Sequence, residues 1–92
     1  MYFALFYDTV PDYLERRQAH RQAHLAHARK AHSEGRLLLA GAMNPADSAL
    51  FIFRANSVAE VEAFAKGDPY VIAGLIPRWR VREWTVVIGG EG

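Results

Sequence analysis

Apolar and polar positions along this chain change period repeatedly, and the changes mark out its elements. Residues 2–8 form a short apolar run rich in aromatics, closed by Asp8, Thr9 and Pro11, and predict a strand. Asp12 is an N-cap candidate, with Glu15 in the capping-box position. From there alanine, leucine, arginine and glutamine fill a helix to about Glu34, which Gly35 closes as a C′ residue. Residues 36–40 predict a second strand ended by Gly41. Residues 43–47, with Pro45, predict a turn, and residues 49–54 a third strand. Ser57 and Glu60 predict the start of a second helix, which ends near Lys66-Gly67. Asp68-Pro69 opens a helical turn or irregular segment up to Gly74. Pro77 precedes a last strand over residues 79–88, and residues 89–92 predict a mobile tail.

The order βαββαβ predicts an α+β fold of the ferredoxin-like kind, a four-stranded antiparallel sheet with both helices on one face. Yet the strands do not alternate as a half-solvated sheet requires. Tyr2, Ala4 and Phe6 oppose Phe3, Leu5 and Tyr7. Residues 37–40 and 50–53 are apolar throughout, and the last strand sets Trp84, Val86 and Ile88 against Val81, Thr85 and Val87. Two helices cover one face only. A second copy packed sheet against sheet is therefore expected on the other, in preference to an exposed apolar patch.

Composition narrows the picture. Ninety-two residues make one small domain, for which association is a common source of stability. The 51% apolar fraction leans on alanine, so bulky core material is scarcer than it suggests. A net charge of +1 argues against nucleic acid, and the basic residues Arg16, Arg17, Arg21, Arg29 and Lys30 read as a solvated helix face. The absence of cysteine excludes disulfides and thiolate chemistry. No apolar stretch approaches the ~20 residues of a membrane span, and the first residues lack a secretory pattern. A cytoplasmic setting is expected.

Candidate chemistry is sparse. His20, His24 and His27 fall at i, i+4, i+7 on one helix face, a spacing compatible with a metal. No HExxH-type signature accompanies them, and no metal site or cofactor is expected. His24 lies at the edge of a stripe formed by Leu14, Leu25 and Ala28. There a perturbed proton carrier and a satisfied structural side chain are both open readings, and periodicity alone favours the second. Asp68 before Pro69 reads first as a helix cap, although a carboxylate can cap with one oxygen and hold an imidazole with the other.

A wider set of strings changes that balance. Arg21-x-x-His24-Leu25, Gly35-x-Leu-x-x-x-Gly41, Gly67-Asp68-Pro69-Tyr70, Ala73-Gly74-Leu75 and Val81-x-x-Trp84 run through nearly the full chain. With them the chain resembles the YciI-like (YCII-related) family of small dimeric α+β barrel proteins. The resemblance implies a subunit that dimerises through its sheets and a pocket in which His24 and Asp68 form a catalytic dyad. Relatives in this family and the similar muconolactone-isomerase group act on small ring compounds in aromatic degradation, among them a dehydrochlorinase of chlorinated hydroxyhydroquinone. The family usually carries Pro after the Gly that ends the second strand, and Gly at the start of the third. This chain has Gly41-Ala42-Met43 and Ser48-Ala49, so its pocket wall differs.

The function expected on this basis is a cofactor-free lyase or isomerase acting on a small aromatic or lactone-like compound. His24 would carry the proton and Asp68 would orient it. Arg21 would hold an anionic substrate oxygen or face solvent. Tyr7, Tyr70 and Met43 would wall the pocket, and Ser48 would supply a hydroxyl or serve as a turn residue. The alternative is a dimeric binding or accessory module without turnover.

Overall fold

The computed structural model describes residues 1–90. The elements are β1 (Tyr2–Asp8), α1 (Tyr13–Arg16), a 3₁₀ turn (Arg17–His20), α2 (Arg21–Ser33), β2 (Leu37–Ala42), β3 (Ser48–Arg54), α3 (Val58–Gly67), α4 (Pro69–Ile72) and β4 (Arg78–Trp84). The sheet order is β2-β3-β1-β4 with every pair antiparallel, the ferredoxin-like arrangement.

One sheet face carries Phe3, Leu5 and Tyr7 beside Phe51 and Phe53, all buried under the helices. Val61, Phe64 and Ala65 form the matching stripe of α3 at i, i+3, i+4, and Phe64 packs against Phe53 with ring centroids 5.0 Å apart. The other face presents Ala4, Phe6, Leu50, Ile52 and Trp84, interleaved with Arg80 and Arg82. They line a hollow of about 270 Å³. There the Arg80 guanidinium lies 4.5 Å from the Phe6 ring centre.

The edge strand β2 contains a bulge. Leu37 pairs with Phe53 and Leu39 with Ile52, so Leu38 is the inserted residue. Leu37 thus faces the helices, but Leu39 turns to the open face, where it is 71% exposed. Downstream, Ala40 lies opposite Phe51 and Ala42 opposite Ala49, which aims two small side chains at α2.

Several expectations need correction. The helix expected over residues 12–34 is broken by the 3₁₀ turn, although no Gly or Pro lies there. Tyr13 before the break and His24 after it both pack on the Tyr70 ring, edge-on at 5.6 Å and face to face at 3.8 Å, and the tightened turn lets both reach it. Neither Asp12 nor Ser57 makes a side-chain cap. Asp12 instead pairs with Arg16 at 3.5 Å, and Glu60 accepts the Asn56 N–H at 3.4 Å. Leu14 is exposed, and the buried stripe of α2 is His24, Ala28 and Ala31. β4 ends at Trp84 because its partner β1 begins at Tyr2, leaving Val87 and Ile88 exposed. The tail expected over residues 89–92 extends beyond the described residues.

Candidate active site

Asp68 sits at the junction of α3 and α4, and its side chain is completely buried. It caps α4, with Oδ1 accepting the Tyr70 N–H at 3.0 Å and Pro69 in the first turn. The same Oδ1 accepts from His24 Nδ1 at 2.8 Å, while Oδ2 accepts the Tyr7 hydroxyl at 2.7 Å. Cap and imidazole thus share one oxygen, and a buried phenol holds the other. Three donors satisfy the carboxylate as an anion where water is excluded. Burial, then the Asp68 charge, then the hydrogen bond to it push the Tyr7 hydroxyl far above the usual phenol range, so it stays a donor.

Gly67 permits this junction. A Cβ there would lie 3.2 Å from Cε1 of His27, so α2 could not approach as closely without a shift. His27 completes the contact by donating from Nε2 to the Phe64 carbonyl at 2.8 Å. That bond removes His27 from the imidazole row expected along the helix. Among the described residues, no three His, Cys, Asp or Glu side chains form a group able to hold a metal.

His24 is 8% exposed and stacks on Tyr70 with the planes 6° apart. With Nδ1–H given to Asp68, the neutral ring keeps its lone pair on Nε2. Among the described residues no buried side-chain polar atom lacks a partner, and Nε2 has no protein partner, so this nitrogen is open to solvent. His24 lines a cavity of about 280 Å³. The helical side is Tyr13, Arg17, Arg21, His24, Leu25 and Ala28; the sheet side is Ala40, Gly41, Ala42, Ala49 and Phe51. A dry cavity of about 150 Å³ takes benzene, so this one has room for one substituted ring. A larger groove of about 700 Å³ lies at the other end of the sheet, lined in part by Glu34, Arg36 and Glu60; no histidine reaches it.

The structure brings His24, Asp68, Tyr7, Tyr70 and Arg21 together but distributes them differently from the expectation. Tyr7 and Tyr70 are buried and do not wall the cavity: Tyr7 holds Asp68, and Tyr70 backs His24. Arg21 lines the cavity and donates a long 3.4 Å bond to the Tyr70 hydroxyl. Met43 and Ser48 do not line it. Ser48 shares the open sheet face with Leu50, and its hydroxyl donates to Asp47 at 3.2 Å, because the period of two sends it away from the helices. Arg17 and Tyr13 line the cavity and were not anticipated. The spacing Tyr13, Arg17, Arg21, His24, Ala28 is the helical signal that could have found them.

The family model of the YCII-related domain matches residues 1–85. Protein YciI of Escherichia coli and that of Shigella flexneri are each 34% identical to the chain, covering 95% of it and 99% of their own length. Among solved structures, 5-chloro-2-hydroxyhydroquinone dehydrochlorinase of Burkholderia phenoliruptrix, in complex with 2,5-dihydroxybenzoquinone, superposes with a TM-score of 0.79. It shares 24% identity, over 92% of this chain and 94% of that one. Rv0793 of Mycobacterium tuberculosis superposes at 0.55 with 13% identity, over 96% and 97%. No helix among the described residues is long and apolar enough to cross a membrane. A family model spanning all four strands and relatives matched end to end make this chain a member of the YCII-related family.

Proposed function

We propose that the protein is a lyase or isomerase that moves protons on a small oxygenated ring compound, with His24 as proton carrier and Asp68 as its orienting anion. The observation that carries this reading is the hydrogen-bonded chain Tyr7–Asp68–His24 ending in a solvent-open Nε2 beside a ring-sized cavity. The buried part fixes the tautomer, and Nε2 can take and return a proton.

The sharpest form of the reading is loss of HCl from a chlorinated hydroxyhydroquinone. His24 Nε2 takes the proton of the hydroxyl beside the chlorine and delivers it to the chlorine-bearing carbon, leaving a carbonyl. The hydroxyl para to that carbonyl then loses its proton. Its electron pair forms the second carbonyl, a ring double bond forms, and chloride departs. The product is a hydroxybenzoquinone, and the balance is loss of HCl with no oxidant consumed. The same proton shuttle without a leaving group is an isomerisation.

Two copies would pair through the open sheet faces in a cytoplasmic setting. Phe6, Leu50, Ile52 and Trp84 form that apolar surface, and the helices of the chain lie on the other side. The test of the activity is chloride release from 5-chloro-2-hydroxyhydroquinone by the wild type and by His24→Ala. A fall of about 10²–10⁴-fold in the variant is expected for loss of general acid–base help. Equal rates would remove His24 from the reaction, and tight ligand binding without turnover would favour a binding module.

A further inference from the structure

We propose that the Tyr13 hydroxyl is a hydrogen-bond donor to the occupant of the His24 cavity, holding the ring oxygen on which negative charge develops while His24 moves the proton. Resting on the function proposed above, this role gives the cavity a second working side chain. Tyr13 lies outside every string that carries the family resemblance.

Tyr13 opens α1 and lines the cavity, yet it is only 4% exposed. Its ring is fixed on two sides, edge-on against Tyr70 at 5.6 Å and under the Arg17 guanidinium at 5.2 Å. A phenol O–H has a hydrogen to give and needs an acceptor for it. The groups that act on this hydroxyl are Arg17, Arg21 and Tyr70. A guanidinium has donors only, so Arg17 can bond the phenol oxygen but cannot take its hydrogen. The Tyr70 hydroxyl is engaged by Arg21. Among the described residues, the Tyr13 O–H gives its hydrogen to no protein acceptor. The sheet side of the cavity, from Ala40 and Ala42 to Phe51, has no polar side chain that could take it. Burial raises the Tyr13 hydroxyl above the ordinary phenol range, against the pull of Arg17, so at neutral pH it is a donor rather than an anion.

Two side chains of opposite capacity thus line one recess, His24 with a free lone pair and Tyr13 with an unspent O–H. The 3₁₀ turn between them brings both onto the Tyr70 ring. When His24 takes the proton of a ring hydroxyl, the oxygen left behind is an anion. When the proton reaches carbon, the same oxygen becomes a carbonyl. A donor already placed at that oxygen favours the charged state over the starting phenol. Tyr13 keeps its own proton throughout, so the balance of the reaction is unchanged. The substrate class is a ring whose hydroxyl can become a carbonyl.

The experiment is calorimetric titration of the full chain with 2,5-dihydroxybenzoquinone, a vinylogous acid that presents a charged ring oxygen at neutral pH. The wild type is expected to bind it about tenfold more tightly than Tyr13→Phe, which removes one oxygen and keeps the ring packed on Tyr70. Ser33→Ala removes a hydroxyl at the far end of the helical segment, outside the cavity, and is expected to bind as the wild type does. Equal affinity of the wild type and Tyr13→Phe, an equal loss in Ser33→Ala, or no binding by the wild type overturns the assignment. A second measurement needs no variant. With Cζ of the four tyrosines labelled by carbon-13, saturation with the probe is expected to shift at least one resonance. No shift in any of them overturns the assignment even if Tyr13→Phe fails to fold. In chloride release from 5-chloro-2-hydroxyhydroquinone, Tyr13→Phe is expected to lose about a hundredfold in kcat and to change KM by less than about threefold. Binding that depends on Tyr13 without any chloride release would refute the dehydrochlorination and leave the donor standing. Turnover that needs His24 and is indifferent to Tyr13→Phe would do the reverse.

Discussion

The two faces of the sheet are built from similar residues and end in different states. Beneath the helices, Leu5, Phe51 and Phe53 are almost fully excluded from water, and the one buried carboxylate among the described residues, Asp68, has every oxygen occupied. On the far side, Phe6 and Leu50 are only half-buried, Trp84 is 48% exposed, and the charges at hand belong to Arg80, Arg82 and Glu83. Both faces are apolar enough to bury. What separates them is that the chain supplies a cover for one alone. The first face is complete and can hold a polar network without water; the second is left for the proposed partner copy. Burial there contributes at ~25 cal/mol per Å², so pairing would be a large share of the stability of so small a domain.

The contrast can be broken most severely on the covered side. Asp68→Ala strands the Tyr7 hydroxyl, the His24 Nδ1–H and the Tyr70 N–H, and a loss of about 3–5 kcal/mol in urea unfolding is expected. A loss below about 1 kcal/mol would mean that the network is not the keystone of that layer. Next comes the open face. Leu50→Asp is expected to weaken the proposed dimer by about 3 kcal/mol, roughly a hundredfold in dissociation constant, by sedimentation equilibrium. The same association state in both proteins would sink the sheet-to-sheet pairing. Tyr7→Phe sharpens the comparison more gently, since it deletes one hydrogen bond to a charged group. About 2 kcal/mol of stability should go, with the secondary structure retained by circular dichroism.

The smallest effect concerns pH. The Tyr7 phenol is raised by burial and by Asp68, so its folded pKa exceeds the unfolded value of about 10. Its contribution is therefore complete below about pH 10 and declines as pH rises beyond that point. By about pH 10.5 the loss should be under about 1 kcal/mol in the wild type and smaller in Tyr7→Phe. The variant keeps only the part due to Tyr13, which burial also raises. Identical alkaline limbs in the two proteins would show that Tyr7 ionises freely.

Much of this contrast is legible in the chain. The aromatic run of β1 and the unbroken apolar runs of β2 and β3 announce a sheet with two apolar faces, and Gly35, with φ +78°, ends the long helical segment as expected of a C′ glycine. His24 and Asp68 could be nominated from sequence, but through motif resemblance rather than periodicity, which favoured a structural histidine and a simple cap. What periodicity cannot express is long-range satisfaction. Tyr7 belongs to the network because its hydroxyl reaches a carboxylate 61 positions away, and nothing local marks it. The helix break has the same origin, with Tyr13 and His24 both committed to Tyr70. Met43 and Ser48 fall outside the lining of the cavity, a placement that depends on strand register, which composition does not report.

The insertion at Leu38 has a consequence for how such a cavity could change over evolution. Pairing the same residues regularly, with Leu38 opposite Ile52 and no bulge, would bring Leu39, in place of Ala40, opposite Phe51. An isobutyl group would then stand where a methyl group now leaves room for a ring. The bulge in this edge strand is thus a volume control for the chamber, adjustable without altering any residue that carries a proton.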